Sequence, residues 1–81
     1  MDEAVFLISK MGPDAISLAP YVAKSLRSPH PSTRELAATA FGNMGSAAAS
    51  YRSKIKPLLN DSDPLVRMAA RKAMQTVRQE K

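Results

Sequence analysis

The sequence has 81 residues, which suffices for one small domain and no second one. It contains no cysteine and a single histidine, which excludes disulfide bridges, thiolate metal sites and cysteine nucleophiles. The net charge of +5 arises beyond residue 50, where eight basic and three acidic residues lie, because the first fifty residues carry four of each.

The first predicted helix covers about residues 2–11 and is apolar on all sides over residues 4–8. Such a helix cannot bury every side chain against one neighbour. We therefore expect Val5, Phe6, Leu7 and Ile8 to form an assembly surface that packs on another subunit, a second copy of the chain or further units upstream. The alternative is that the helix is tucked under its neighbour in a compact five-helix fold.

Four more helices are predicted, at about residues 14–28, 31–43, 47–60 and 64–79, from apolar residues at helical spacing. Pro20 interrupts or kinks the second, and glycine ends the third. Asp63 is expected to cap the fifth helix, with Pro64 at its first position. The short links at 28–30 and 61–63 favour antiparallel neighbours. No segment alternates as a strand does, so the predicted fold class is all-α.

The chain repeats itself at a fixed offset in its numbering. Met11-Gly12 recurs as Met44-Gly45, and the same offset gives nine identities over 33 positions, including Pro31 with Pro64 and Arg34 with Arg67. A fixed period of this length is the mark of stacked helical repeats. We expect one domain over 1–81, divided into a partial repeat at 1–12 and repeats at 13–45 and 46–81.

Residues 58–70, LLNDSDPLVRMAA, resemble the HEAT-repeat family, especially the short bacterial-type repeats also found in phycobilisome-lyase-like proteins. The first copy, at 25–37, matches less well because it lacks the acidic residues that Asp61 and Asp63 supply. The resemblance implies a right-handed α-solenoid of about two and a half repeats whose second helices line a concave surface. It also implies a role in protein–protein scaffolding.

Basic residues supply the candidate binding site. Arg34 and Arg67 occupy the same position in the two repeats, either as an anion-binding pair or as structural arginines that bond the turn before their helix or a neighbouring loop; the resemblance favours the structural role. Arg67, Arg71, Gln75 and Arg78 share one helical stripe. The predicted basic patch consists of Arg52, Lys54, Lys56, Arg67, Arg71, Lys72 and Arg78.

No arrangement of residues predicts catalysis. The carboxylates form no obvious acid/base pair, no serine is arranged with a histidine, and the His-Glu pairs that hold iron in the HEAT-type deoxyhypusine hydroxylase are missing. We expect no cofactor and no bound metal. No apolar run approaches the roughly 18 residues of a membrane span, which favours a cytoplasmic protein without a membrane partner.

Three functions are compatible with these features. The first is a non-catalytic scaffold or adaptor that binds a protein partner, packs on further HEAT repeats or forms a homo-oligomer. The second is a basic module that binds nucleic acid through the patch, with a steep dependence on salt. The third, suggested only by the repeat subtype, is a bilin-lyase-like or chromophore-handling role.

Overall fold

The computed structural model describes residues 2–78. Helical backbone makes up 83% of it, and no strand occurs among these residues, which confirms the all-α class. The α-helices are α1 (Glu3–Ser9), α2 (Ala19–Ser25), α3 (Pro31–Met44), α4 (Arg52–Ile55) and α5 (Pro64–Thr76). Three stretches of 3-10 helix lie at Gly12–Leu18, Gly45–Tyr51 and Lys56–Asn60.

The prediction of five separate helices is not confirmed. Helical segments follow one another directly from Pro31 to Asn60 with no loop between them, although the backbone departs from helical angles at Gly45 and Ala48. The described residues therefore form four separate helical runs. The reason lies at Gly45, whose φ of 62° bends the chain within one residue, so that no loop is needed between α3 and the 3-10 stretch that follows. The predicted fifth helix ends at Thr76, and residue 79 of that prediction lies outside the described residues.

The predicted helices at 14–28 and 47–60 are mixtures of 3-10 and α-helix. Prolines lie where the helix type changes: Pro20 is in the first turn of α2, and Pro57 is in the first turn of the last 3-10 stretch. Proline has no N–H to donate, so it is best accommodated in a first turn, where the N–H groups have no partner within the helix. Each proline therefore starts a new helical stretch instead of bending a long one.

Helix α3 forms the centre of the fold, because α1, α2 and α5 all pack against it. Phe41 and Met44 of α3 are among the largest fully buried side chains, together with Ile55 and Val66 from the second half of the chain. The ring of Phe41 stacks on the ring of Tyr51, with 5.2 Å between their centroids. The core is therefore built around α3, the second helix of the predicted repeat at 13–45, and side chains of the predicted repeat at 46–81 cover it.

The start of α5 is capped as predicted, because the Asp63 carboxylate accepts hydrogen bonds from the backbone N–H groups of Leu65 and Val66. His30, at the matching position of the preceding repeat, comes before α3 without a capping side-chain hydrogen bond. We expect Asp63→Ala to lower the free energy of unfolding by about 0.5–2 kcal/mol, the usual loss for an N-cap. His30→Ala is the matched control and is expected to change it much less. Urea denaturation of both variants measures the difference; equal losses would contradict the capping role.

Candidate interaction site

Two side-chain hydrogen bonds join successive helices at the same place in the repeat. The Nδ2 of Asn43 on α3 donates to the Ser9 carbonyl at the end of α1, over 2.7 Å. The Oγ1 of Thr76 on α5 donates to the Gly42 carbonyl on α3, also over 2.7 Å. The two donors are separated by one repeat period, and so are the two acceptors. Helix α5 is therefore attached to α3 in the way that α3 is attached to α1.

Arg34 and Arg67 make the same bond to the loop before their own helix. The Nη1 of Arg34 donates to the Ser28 carbonyl over 2.8 Å, and the Nη1 of Arg67 donates to the Asp61 carbonyl over 2.7 Å. Arg34 also reaches the next loop, where its Nε and Nη2 donate to the two carboxylate oxygens of Asp61 over 2.8 and 3.0 Å. Both arginines thus bond the turn before their own helix, and Arg34 also bonds a neighbouring loop, as the structural interpretation of these residues predicts.

The pair of Arg34 and Asp61 is largely shielded from water, with 15% and 8% of the two side chains exposed. The hydrogen bonds from Arg34 hold the pKa of Asp61 below its usual range, while partial burial acts in the opposite direction. The same hydrogen bonds raise the pKa of Arg34. The ionised carboxylate is therefore the form that joins the two loops.

This geometry predicts that Asp61 contributes to stability only where it is ionised. A carboxyl whose pKa is lower in the folded chain than in the unfolded chain stabilises the fold above about pH 4, and this contribution is lost as the pH falls through the folded pKa. We expect Asp61→Asn to lower the free energy of unfolding at neutral pH, and the difference from the wild type to shrink in acid. Urea denaturation at several pH values measures it, with the exposed Asp14→Asn as control.

A difference between wild type and Asp61→Asn that is independent of pH would contradict the role of the ionised pair. The same would hold if Asp14→Asn reproduced the acid-dependent behaviour, since the general charge of the chain would then explain it.

The predicted basic patch contains residues of two kinds. Arg52 donates through Nη1 to the carbonyls of Met74 and Val77, over 2.9 and 2.7 Å, and so closes the end of α5. Arg67 is held by the Asp61 carbonyl.

The other five residues of the patch are exposed. Lys54 and Lys56 lie before the loop at residue 61, and Arg71, Lys72 and Arg78 lie on α5 or directly after it. The capping role of Arg52 was missed because its partners lie on a later helix, and no local pattern links them to it.

The predicted assembly surface on α1 is divided between the core and the solvent. Val5 is fully buried and Ile8 is 7% exposed, and both belong to the core that α1 and α3 share. Phe6 is half-buried, with the Lys10 ammonium 5.0 Å from its ring centroid. Leu7 is 62% exposed. The four residues therefore do not form one face: Val5 and Ile8 are covered by the fold and Leu7 is open to solvent. The assembly surface stays a prediction.

A groove of about 450 Å³ lies between α3 and α5. Small residues let the two helices approach closely there: a Cβ atom on Gly42 would lie 3.3 Å from the Cα of Ala73. The groove is lined by Ala38, Thr39, Gly42, Asn43, Ala69, Lys72, Ala73, Gln75 and Thr76. Lys72 is the charged residue in this lining, and the other polar side chains are neutral hydroxyl and amide groups.

Within residues 2–78, no three histidine or acidic side chains come together as ligands for a metal ion. In the same part of the chain, no helix combines the length and the apolar character required to cross a bilayer.

The comparisons with known proteins identify a family but no individual relative. A family model described as HEAT repeats matches residues 4–81. No curated protein and no solved structure matches the chain.

Proposed function

Because the chain belongs to the HEAT-repeat family, we propose that it is a non-catalytic α-solenoid segment that binds another protein as a scaffold or adaptor. HEAT repeats are generally protein-interaction scaffolds. In this proposal the chain consists of a partial repeat at 1–12 and full repeats at 13–45 and 46–81. Its cytoplasmic location stays a prediction from composition.

The observation that supports this function best is the groove between α3 and α5. The recurring bonds from Asn43 and Thr76 hold the second helices in register, and small residues between them leave a shallow, open channel. A groove between neighbouring helices suits an extended or helical segment of a partner protein. Since α3 and α5 carry the channel, the partner would contact both full repeats at once.

The test is a pull-down with a purified, immobilised chain and variants that alter the groove. Lys72→Glu reverses the charge inside it, whereas Lys24→Glu reverses a charge on α2, away from the groove, and serves as the matched control. We expect a protein that is captured by the wild type and by Lys24→Glu and is lost with Lys72→Glu. Light scattering after size-exclusion chromatography shows whether the chain itself is the partner. A monomer that captures nothing, or captures equally with both variants, would contradict the groove as the site.

Nucleic-acid binding stays a prediction from charge. Two members of the predicted patch, Arg52 and Arg67, already bond backbone carbonyls of the fold. Tyr51, the aromatic residue nearest the patch in sequence, is stacked on Phe41 and is half-buried. The chromophore-handling role has no supporting contact among the described residues, which leaves it a prediction from the repeat subtype.

A further inference from the structure

The two repeat arginines differ in how their guanidinium groups are used. Arg34 donates through all three nitrogens: Nη1 to its own loop, and Nε and Nη2 to the Asp61 carboxylate of the next repeat. Arg67 is held in the same way by Nη1, over 2.7 Å to the Asp61 carbonyl. Its Nε and Nη2 donate to no residue between 2 and 78. Residues 2–78 therefore contain one occupied copy of the carboxylate site, at Arg34, and one copy, at Arg67, that none of these residues occupies.

The face of α5 around Arg67 has become cationic in the second repeat. Arg71 stands where α3 has Ala38, and Gln75 stands where α3 has Gly42. On α3 this face is closed by α5, since Ala38 is fully buried and Gly42 lies against Ala73. On α5 the corresponding residues, Arg71 and Gln75, are exposed. This face therefore carries small, covered residues on α3, whereas on α5 it carries long, polar or charged side chains that are exposed.

We propose that this open face of α5 binds a carboxylate-bearing segment of a partner protein, with Arg67 as the specific contact. The proposal rests on the scaffold function and names a site and a partner chemistry for it. The Nε and Nη2 of Arg67 take one carboxylate in the two-bond geometry that Arg34 uses for Asp61. Arg71 lies four residues further on the same helix face, and Arg78 follows the end of α5. Both attract the neighbouring acidic groups.

An acidic protein segment fits this face better than a second copy of the chain does. Two copies would each bring a net charge of +5, which opposes their association. The occupied site also shows directly which group this arginine fork binds, and that group is a carboxylate.

Binding of a fluorescein-labelled oligoglutamate peptide, followed by fluorescence anisotropy at low salt, tests the proposal. Arg67→Lys keeps the charge but removes the two-bond fork, and Lys24→Gln removes one charge from α2, outside the basic patch. We expect Arg67→Lys to weaken binding about tenfold, a difference of about 1.4 kcal/mol. Lys24→Gln is expected to weaken it no more than about twofold, because a single surface charge outside the basic patch contributes little to such binding.

Arg71→Gln provides a second variant, since its side chain is exposed and makes no bond that the fold needs. It should also weaken binding several-fold more than Lys24→Gln does. If Arg67→Lys binds like the wild type while all charge-removing variants lose affinity equally, net charge alone explains binding and the proposal is wrong. Tighter binding of a duplex DNA that depends on the same arginines would assign the face to nucleic acid instead.

The outcomes separate this site from the scaffold function. If capture of the partner does not depend on Lys72 while oligoglutamate binding depends on Arg67, the groove is not the site and the α5 face is. If capture depends on Lys72 while oligoglutamate binding does not depend on Arg67, the α5 face is not the site and the groove is. Circular dichroism of each variant checks that the helices are retained.

Discussion

Phe41→Ala is expected to lower the free energy of unfolding by about 3–5 kcal/mol, the usual cost of removing a fully buried phenylalanine. The ring has no exposed surface, and it stacks on Tyr51 at 5.2 Å between centroids. Phe41 belongs to α3, and α1, α2 and α5 all pack against this helix. A movement that filled the cavity on one side would therefore disturb the packing of α3 on its other sides. The total stability of a chain this long is on the order of 4–12 kcal/mol, so the variant would be close to unfolding.

Met74→Ala is the matched control, because Met74 occupies the position of Phe41 in the following repeat and is only half-buried. Its loss should be clearly smaller. Phe41→Leu fills most of the space and should keep a cooperative transition if Phe41→Ala does not. Urea denaturation followed by circular dichroism gives all three values. Equal losses for Phe41→Ala and Met74→Ala would show that α3 is not the centre of the core.

Gly45→Ala is expected to lower the free energy of unfolding by about 1–3 kcal/mol, the usual cost of a residue held in a sparsely populated backbone conformation. Gly45 has φ of 62° and ψ of −140°, close to a region that glycine alone populates readily. Space is not the obstacle, since a Cβ atom there would meet nothing nearer than the Thr76 carbonyl oxygen at 3.8 Å. The cost is therefore conformational, and the strain falls on the bend that brings α3 and the following helical stretch together.

Gly12→Ala should show a loss of similar size, because Gly12 has φ of 67° and is the counterpart of Gly45 one repeat earlier. Ser46→Ala, next to the bend and exposed, is the control and is expected to stay within about 0.5 kcal/mol of the wild type. Thermal and urea denaturation measure all three variants. If Gly45→Ala is as stable as Ser46→Ala, the positive φ is not required and the bend can form in another way.

Several contacts could be predicted from the sequence because they depend on neighbouring residues. The cap at Asp63 is formed with N–H groups two and three residues away, and helical periodicity indicates the all-α class. The bond from Arg67 to the loop before its helix spans only six residues. Contacts between residues only a few positions apart can therefore be predicted from the order of residues alone.

The candidate site could be predicted only in part. The stripe predicted from helical spacing holds for Arg67, Arg71 and Gln75, whereas Arg78 lies beyond the end of α5 at Thr76. Spacing also could not indicate which of these groups are already bonded. Charge alone predicts Arg52 in a binding patch, whereas in the structure its guanidinium bonds the carbonyls at the end of α5. The apolar run on α1 gave no sign that Val5 faces α3 while Leu7 faces solvent.

The sequence by itself determined that the chain is helical, that it repeats at a fixed offset and that it belongs with HEAT repeats, because periodicity and family motifs are carried by the order of residues. Only the tertiary structure decided that Asp61 joins Arg34 from the following loop and that no residue between 2 and 78 accepts from the equivalent fork of Arg67. Such pairings depend on how helices pack in space, since side chains far apart in the chain become neighbours only when the core between them has formed.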